Sequence, residues 1–197
     1  HHDWLSLADA QLNDHFASDA GEGAKLPRDI ILDQMLAKDS PDGAAGELFS
    51  LYLVARQSLD LLTGNPLDIF TDSTLPGAVQ LHHLFPKKFL ERTETNYKAQ
   101  LDKVECLANL VPLSRASNIF WSDKGPSTAL GQKTKTWANS AAQFDRACID
   151  EQRFTVLAQV APYAPEDIEA VWKARSEKIA SEIFHAQDIA FNGFDAP

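Results

Sequence analysis

The chain has 197 residues and a mass of 21.7 kDa, room for one domain or at most two small ones. At 44% hydrophobic and 23% charged it holds enough apolar side chain for a real core, which excludes a disordered protein. The net charge of −10 argues against a protein that coats nucleic acid until the charge is mapped along the chain. Residues 80–135 carry nine Lys/Arg against five acids, a local +4, while the remainder carries −14. A basic middle is set in an acidic frame.

Cys106 and Cys148 are far apart, which excludes a disulfide framework and a four-cysteine zinc site and fits a reducing compartment. The apolar stretches fall short of a membrane span and no secretory leader opens the sequence, so no membrane partner is expected. The chain opens on His1-His2 without Met. It therefore reads as a piece of a longer polypeptide, and those two histidines are given no function.

The first third reads as helix. Asp3 to Phe16 sets Trp4, Leu7, Ala8, Leu12 and Phe16 near the helical period, with His15 on the same amphipathic segment. Leu26-Pro27-Arg28-Asp29 is a helix start with proline in the first turn, and Ile30, Ile31, Met35 and Leu36 form its apolar face. Gly43 to Thr63 is apolar on more than one side, which predicts a central buried helix stopped by Thr63-Gly64-Asn65-Pro66. Residues 66–131 differ in texture, with Pro, Gly, Ser and Thr punctuating short apolar runs. Ala78-Val79-Gln80-Leu81 and Leu110-Val111-Pro112-Leu113 predict two short strands, separated by a long polar connection from Glu91 to Glu105. Pro112 makes the second an edge or bent strand. Ser114 to Ser117 predicts the cap of a helical turn. Helix returns over Thr136 to Asp150 and Gln152 to Val160. A final long helix opens at Ala164-Pro165-Glu166-Asp167, carries His185, and buries Ile168, Val171, Trp172, Ile179, Ile183 and Phe184. The expected organisation is a helical scaffold over 1–65, a small core over 66–131 and a helical region over 132–197, packed as one compact domain.

The chemistry gathers in the middle segment. Leu81-His82-His83-Leu84-Phe85-Pro86 wedges a histidine pair between apolar residues at a strand end. Taken alone, it reads as two half-buried rings bonded to backbone. Downstream come Cys106-Leu107-Ala108-Asn109-Leu110-Val111-Pro112-Leu113-Ser114, then Asn118, then Lys124-Gly125-Pro126. The order His-His-x-x-Pro, Asn-Leu-Val-x-Leu-Ser, Asn resembles an HNH nuclease whose last histidine is replaced by asparagine. More narrowly, His82 to Leu90, Ala108 to Val111, Asn118 and Lys124 to Pro126 resemble the HNH domain at the C-terminus of GmrSD-like, modification-dependent restriction proteins. That group includes SspE of phosphorothioate-linked phage defence. The motifs cover residues 79–130, and Arg175 to Ala180 resembles the group's closing helix.

The resemblance implies a mainly α fold with a small ββα-metal core and helices before and after it. It implies metal-dependent hydrolysis of DNA, by nicking or double-strand cleavage, in the bacterial cytoplasm, as the effector part of an anti-phage or restriction protein. The partners it implies are DNA and an N-terminal nucleotide-hydrolysing, modification-sensing domain. Carried over residue by residue, it makes His83 the general base, His82 and Asn118 the metal ligands, and Asn109 the residue that ties down the loop and holds His83. Lys124 joins the catalytic set through charge stabilisation, and Lys87, Lys88 and Arg115 contact DNA phosphates. Lys98 and Lys103 read as solvated, Phe120 and Trp121 as core or interface, and Cys106 as a buried hydrophobe.

These residue types suit phosphodiester hydrolysis. Imidazole titrates where a base must take a proton from water, and a divalent ion neutralises the phosphate and stabilises the leaving oxygen. Magnesium or manganese is the expected ion; a nitrogen ligand at His82 adds nickel and zinc as candidates. Adjacent strand residues point to opposite faces, so the two histidines converge on one phosphate only at a frayed strand end, which Pro86 suits. The alternative is a non-catalytic helical adaptor or regulatory module that retains a lapsed nuclease core.

Overall fold

The computed structural model describes residues 27–37, 43–67, 79–92, 96–133 and 136–192, with backbone alone over 188–192. The expected helix over Asp3 to Phe16, His1, His2, His15 and the strand start at Ala78 lie outside the described residues. The described chain is mainly helical with one small two-stranded antiparallel sheet.

Helix α1 (Arg28–Leu36) starts on Pro27, whose carbonyl accepts from Ile30 and Ile31, and it buries Ile31 and Met35. Ile30, expected on the apolar face, is 46% exposed instead. Helix α2 (Ala44–Ala55) ends well before the expected Thr63. The reason is a left-handed cap without glycine: Gln57 takes φ 51°, Gln57 N–H donates to Val54 and Ser58 N–H to Leu53. The freed segment turns back through a bridge between Leu59 and Pro66, with Gly64 at φ 76° making the corner.

Strand β1 (Val79–His83) leads into helix α3 (Lys87–Arg92), and helix α4 (Lys98–Asp102) lies inside the expected polar connection. A single 3₁₀ turn, Leu107–Asn109, delivers the chain to strand β2 (Leu110–Ser114). Ser114 then caps helix α5 (Arg115–Trp121), its side chain accepting from Ser117 N–H at 3.3 Å, as its small polar side chain suggests. Helices α6 (Pro126–Gln132), α7 (Trp137–Arg146) and α8 (Glu151–Ala158) follow. The long α9 (Pro165–Asn192) packs against α1, α4, α8 and the 3₁₀ turn.

β2 lies between two apolar clusters. Val111 and Leu113 pack with Phe85, Trp121, Phe144 and Trp172. Leu107 and Leu110 pack with Ile31, Phe49, Leu53 and Ile179 from the other helices. Five residues of strand are thus pinned from two directions by buried side chains, and burying each large one contributes about 1.5–3 kcal/mol. This gives a marginal hairpin-sized sheet a fixed position.

Candidate functional site

β1 and β2 pair with His82 opposite Val111 and His83 opposite Leu110. Both histidines stay inside the ladder, so the frayed end that would let them converge is not formed. Strand alternation sends the rings to opposite faces. His82 shares its face with Gln80, and α5 lies across that face.

The His82 imidazole is 9% exposed and stands against the Trp121 ring at 5.4 Å between centroids. Its Nε2 is shut off from solvent and has no hydrogen-bond partner. Burial pushes its pKa down to about 4, Asn118 acting as a hydrogen-bond partner opposes that, and the neighbouring His83 adds to it. The ring is therefore neutral at physiological pH and holds a lone pair. Asn118, one turn into α5, faces this ring and donates through Nδ2 to Gln80 Oε1. β1 and α5 thus bring Gln80, His82 and Asn118 into one corner.

His83 faces the other way, and its Nε2 lies 2.9 Å from Glu105 Oε2. Behind it, Asn109 is fully buried with its amide fully used. Oδ1 accepts from Phe85 N–H and from Trp172 Nε1–H, both at 3.0 Å, and Nδ2 donates to the Phe85 and Val104 carbonyls. The Leu84 N–H also donates to the Asn109 carbonyl at 2.6 Å. Asn109 thus ties the turn after His83 to the segment before β2, and its amide is turned to the protein interior.

Two buried ionic side chains complete the support. Arg175 from α9 is 1% exposed and donates to the carbonyls of Ala108, Leu110 and Ala147. Asp60, also buried, accepts from Leu62 and Thr63 N–H on its own turn, from Ser114 N–H at 2.7 Å and from the Ser117 hydroxyl at 2.9 Å. Burial alone would raise the Asp60 pKa, but the hydrogen bonds from Ser114, Ser117 and Thr63 hold it below the usual carboxylate value. Asp60 therefore fixes the strand-to-helix corner from which Asn118 projects.

The basic residues separate. Lys87, Lys88 and Arg115 are exposed at the starts of α3 and α5. Lys124 Nζ instead donates to the Phe120 carbonyl and lies 4.6 Å from the centre of the Phe120 ring, with Lys133 at 4.4 Å from the same ring. It caps the end of α5 rather than reaching the histidines. Gly125, in the same motif, is required by close approach, since a Cβ there would come within 2.5 Å of the Phe89 ring. A cleft of about 410 Å³ opens on the Ala116, Ser117 and Phe120 side of α5, bounded also by Asp60 and Lys133, and contains neither histidine. Cys106 and Trp121 are core residues, and burial pushes the Cys106 thiol up to about 11.

The His82 corner holds two donor types that a divalent ion accepts, a neutral, unpartnered imidazole nitrogen and the Asn118 amide, with the nitrogen closed to solvent and the amide engaged with Gln80 and the His82 ring. Among the described residues no three His, Cys, Asp or Glu side chains converge. Sequence reasoning missed Asp60, Gln80, Glu105 and Trp172. Gln80 had a signal, standing two residues before His82 on the same strand face, and Asp60 had one as an acid inside the apolar run Leu59 to Leu62. Glu105 had none. The chain matches no protein-family model, no curated protein and no solved structure. No helix among the described residues is long and apolar enough to cross a membrane.

Proposed function

We propose that the chain is a metal-dependent HNH-type endonuclease domain that nicks or cleaves DNA, serving as the effector part of a bacterial anti-phage or restriction protein in the cytoplasm. The observation that carries this reading is the buried, unpartnered Nε2 of His82, on a ring that Asn118 meets across the β1–α5 corner, with His83 next in the strand. Buried polar groups are nearly always satisfied, so one left open beside the Asn118 amide supports a ligand site here. His82 and Asn118 would hold the ion, which supplies charge neutralisation at the phosphate and at the leaving oxygen. His83, whose ring lies on the opposite face while β1 stays paired, would take the proton from the attacking water once the end of β1 opens and lets the two rings meet one phosphate, and Asn109 ties down the turn that follows. Lys87, Lys88 and Arg115 supply the basic rim for the DNA backbone. The N-terminal nucleotide-hydrolysing, modification-sensing partner belongs to the same reading.

Two observations favour the adaptor reading: His82 Nε2 is closed to solvent with the ring against Trp121, and Lys124 turns to Phe120. A plasmid-relaxation assay with and without manganese separates the two. Metal-dependent conversion of supercoiled to open-circular DNA is expected. Unchanged plasmid at every metal concentration would leave the adaptor reading in the lead.

A further inference from the structure

We propose that the cleft beside α5 binds a nucleotide, with Lys133 taking the phosphate and the apolar wall of Pro66, Leu67 and Ala116 taking the base. The inference goes beyond the nuclease reading and stands without it, since the cleft contains neither histidine. Its volume of about 410 Å³ falls in the range of small-molecule sites, and its surface is mainly apolar with a few polar groups, as such sites are.

Both walls are fixed before any ligand arrives. The Asp60 carboxylate accepts from Leu62 and Thr63 N–H in the loop wall, and from Ser114 N–H and the Ser117 hydroxyl in the α5 wall. The Asp60 N–H donates to the Asn65 carbonyl at 2.8 Å and the Leu67 N–H to Ser58 at 3.3 Å, which closes the loop on itself. A preformed cleft spares a ligand the ordering of its walls. Asp60 is the acid among the lining residues, and those four donors occupy its oxygens. The cations are not matched in this way. Lys133 and Lys124 stand 4.4 and 4.6 Å from the centre of the Phe120 ring, and among the described residues neither has a carboxylate within ion-pair reach. Two ammonium groups gathered at one ring without a counter-ion select an anion, and Lys133 lines the cleft. A phosphate carried on a flat base meets both features at once. Inorganic phosphate would leave the apolar wall wet, and a bare nucleoside would leave the lysines unmatched. The exposed Asn65 amide and the Thr63 hydroxyl stand on the rim, in place for the polar edge of a base or sugar.

Calorimetric titration of the whole chain in chelator tests this, with deoxyadenosine monophosphate as the probe. The nucleotide should bind at least about tenfold more tightly than deoxyadenosine or inorganic phosphate, since only it makes the charge-assisted contact and fills the apolar wall together. Lys133→Ala, at an exposed position, should weaken binding by about tenfold. Ala116→Phe, exposed on α5, should fill the cleft and abolish binding, while its urea unfolding stays that of the wild type. A ten-nucleotide oligodeoxyadenylate distinguishes the two sources: tighter binding than the mononucleotide assigns the site to a single strand, equal or weaker binding to a free nucleotide, and either supports the site when both variants weaken it. No binding of the mononucleotide, inorganic phosphate binding as tightly as the nucleotide, or both variants binding as the wild type does overturns the proposal. The titration reads no cleavage, so a chain that leaves the plasmid supercoiled still answers it, and failure of the nuclease reading is recognised separately.

Discussion

The two sides of the β1–β2 pair differ in how one buried ring is treated. Toward α9, Asn109 and Arg175 are buried and bonded to several backbone groups at once, and Trp172 adds its indole N–H. Toward α5, His82 is buried with a ring nitrogen left open. The first side shows how expensive polar groups are made part of a core, by giving each its partners. The second leaves one ring nitrogen without a hydrogen-bond partner, and that nitrogen is where the nuclease reading would place its ion. The contrast separates support from site more sharply than burial does, since Asn109 and His82 are both buried.

The largest effect should fall on the histidine pair, with no effect on the support. His83→Ala removes the base and should lower nicking by ~10²–10⁴-fold while leaving DNA and metal binding intact. Asn118→Ala and His82→Ala should also lose activity, but through the ion, so that added manganese restores part of it. A His83→Ala protein that nicks at the wild-type rate would reduce the pair to structural histidines.

The complementary break is Arg175→Met. The Ala108, Leu110 and Ala147 carbonyls lose their donor together, at about 1–3 kcal/mol for each buried group left unsatisfied. Removing the desolvated guanidinium, whose pKa burial depresses, offsets part of this. A net loss of about 3 kcal/mol is expected, read as a fall in the urea midpoint. An unchanged midpoint would mean that the bonded side is no stiffer than the open one.

Acid tests the open side again, with a smaller and gradual effect. In the fold the His82 pKa is pushed down to about 4 from 6.5, so the native state prefers the neutral ring. The unfolded chain takes up a proton first as pH falls. Stability from this group is therefore complete above pH 6.5 and is lost between 6.5 and about 4, by about 3 kcal/mol at most. Asp60, also depressed, withdraws its contribution only lower, as pH falls from the ordinary carboxylate value through its folded one. Urea unfolding in chelator at stepped pH should show both stages. His82→Gln should remove the upper stage and keep the lower; an upper stage that persists would assign it to another group.

The elements were legible in the sequence where local rules decided them. The two short strands, the Ser114 cap and the proline starts near Pro27 and Pro165 follow from turn chemistry and hydrophobic runs, and the structure has them. The end of α2 was not legible, because Gln57 takes the left-handed position usually held by glycine. Cys148 does the same after α7, at φ 60°. Within the candidate site, residues in one motif could be read together. Asp60 and Trp172 could not, since each meets the motif only through folding. Nor could a sequence show that His83 stays paired with Leu110, which keeps the two rings on opposite faces.

The smallest effect is expected at the basic rim, which belongs to neither side of the sheet. Lys87 and Lys88 are exposed on the first turn of α3, just beyond the turn held by Asn109. Their ammonium groups can meet a backbone phosphate without disturbing the core, and they carry no information about sequence. The local +4 works against −14 elsewhere, so binding should be weak and should fall steeply as salt shortens the ~10 Å screening length at 0.1 M. Each lysine that neutralises a phosphate contributes about 0.9 to the slope of log affinity against log salt. Replacing both with Ala should therefore lower that slope by about 2, and by the same amount on unrelated duplexes. Fluorescence anisotropy across a salt series measures it. A double variant with the wild-type slope would place the phosphate contacts on another face, with Arg115 at the start of α5 the first to test.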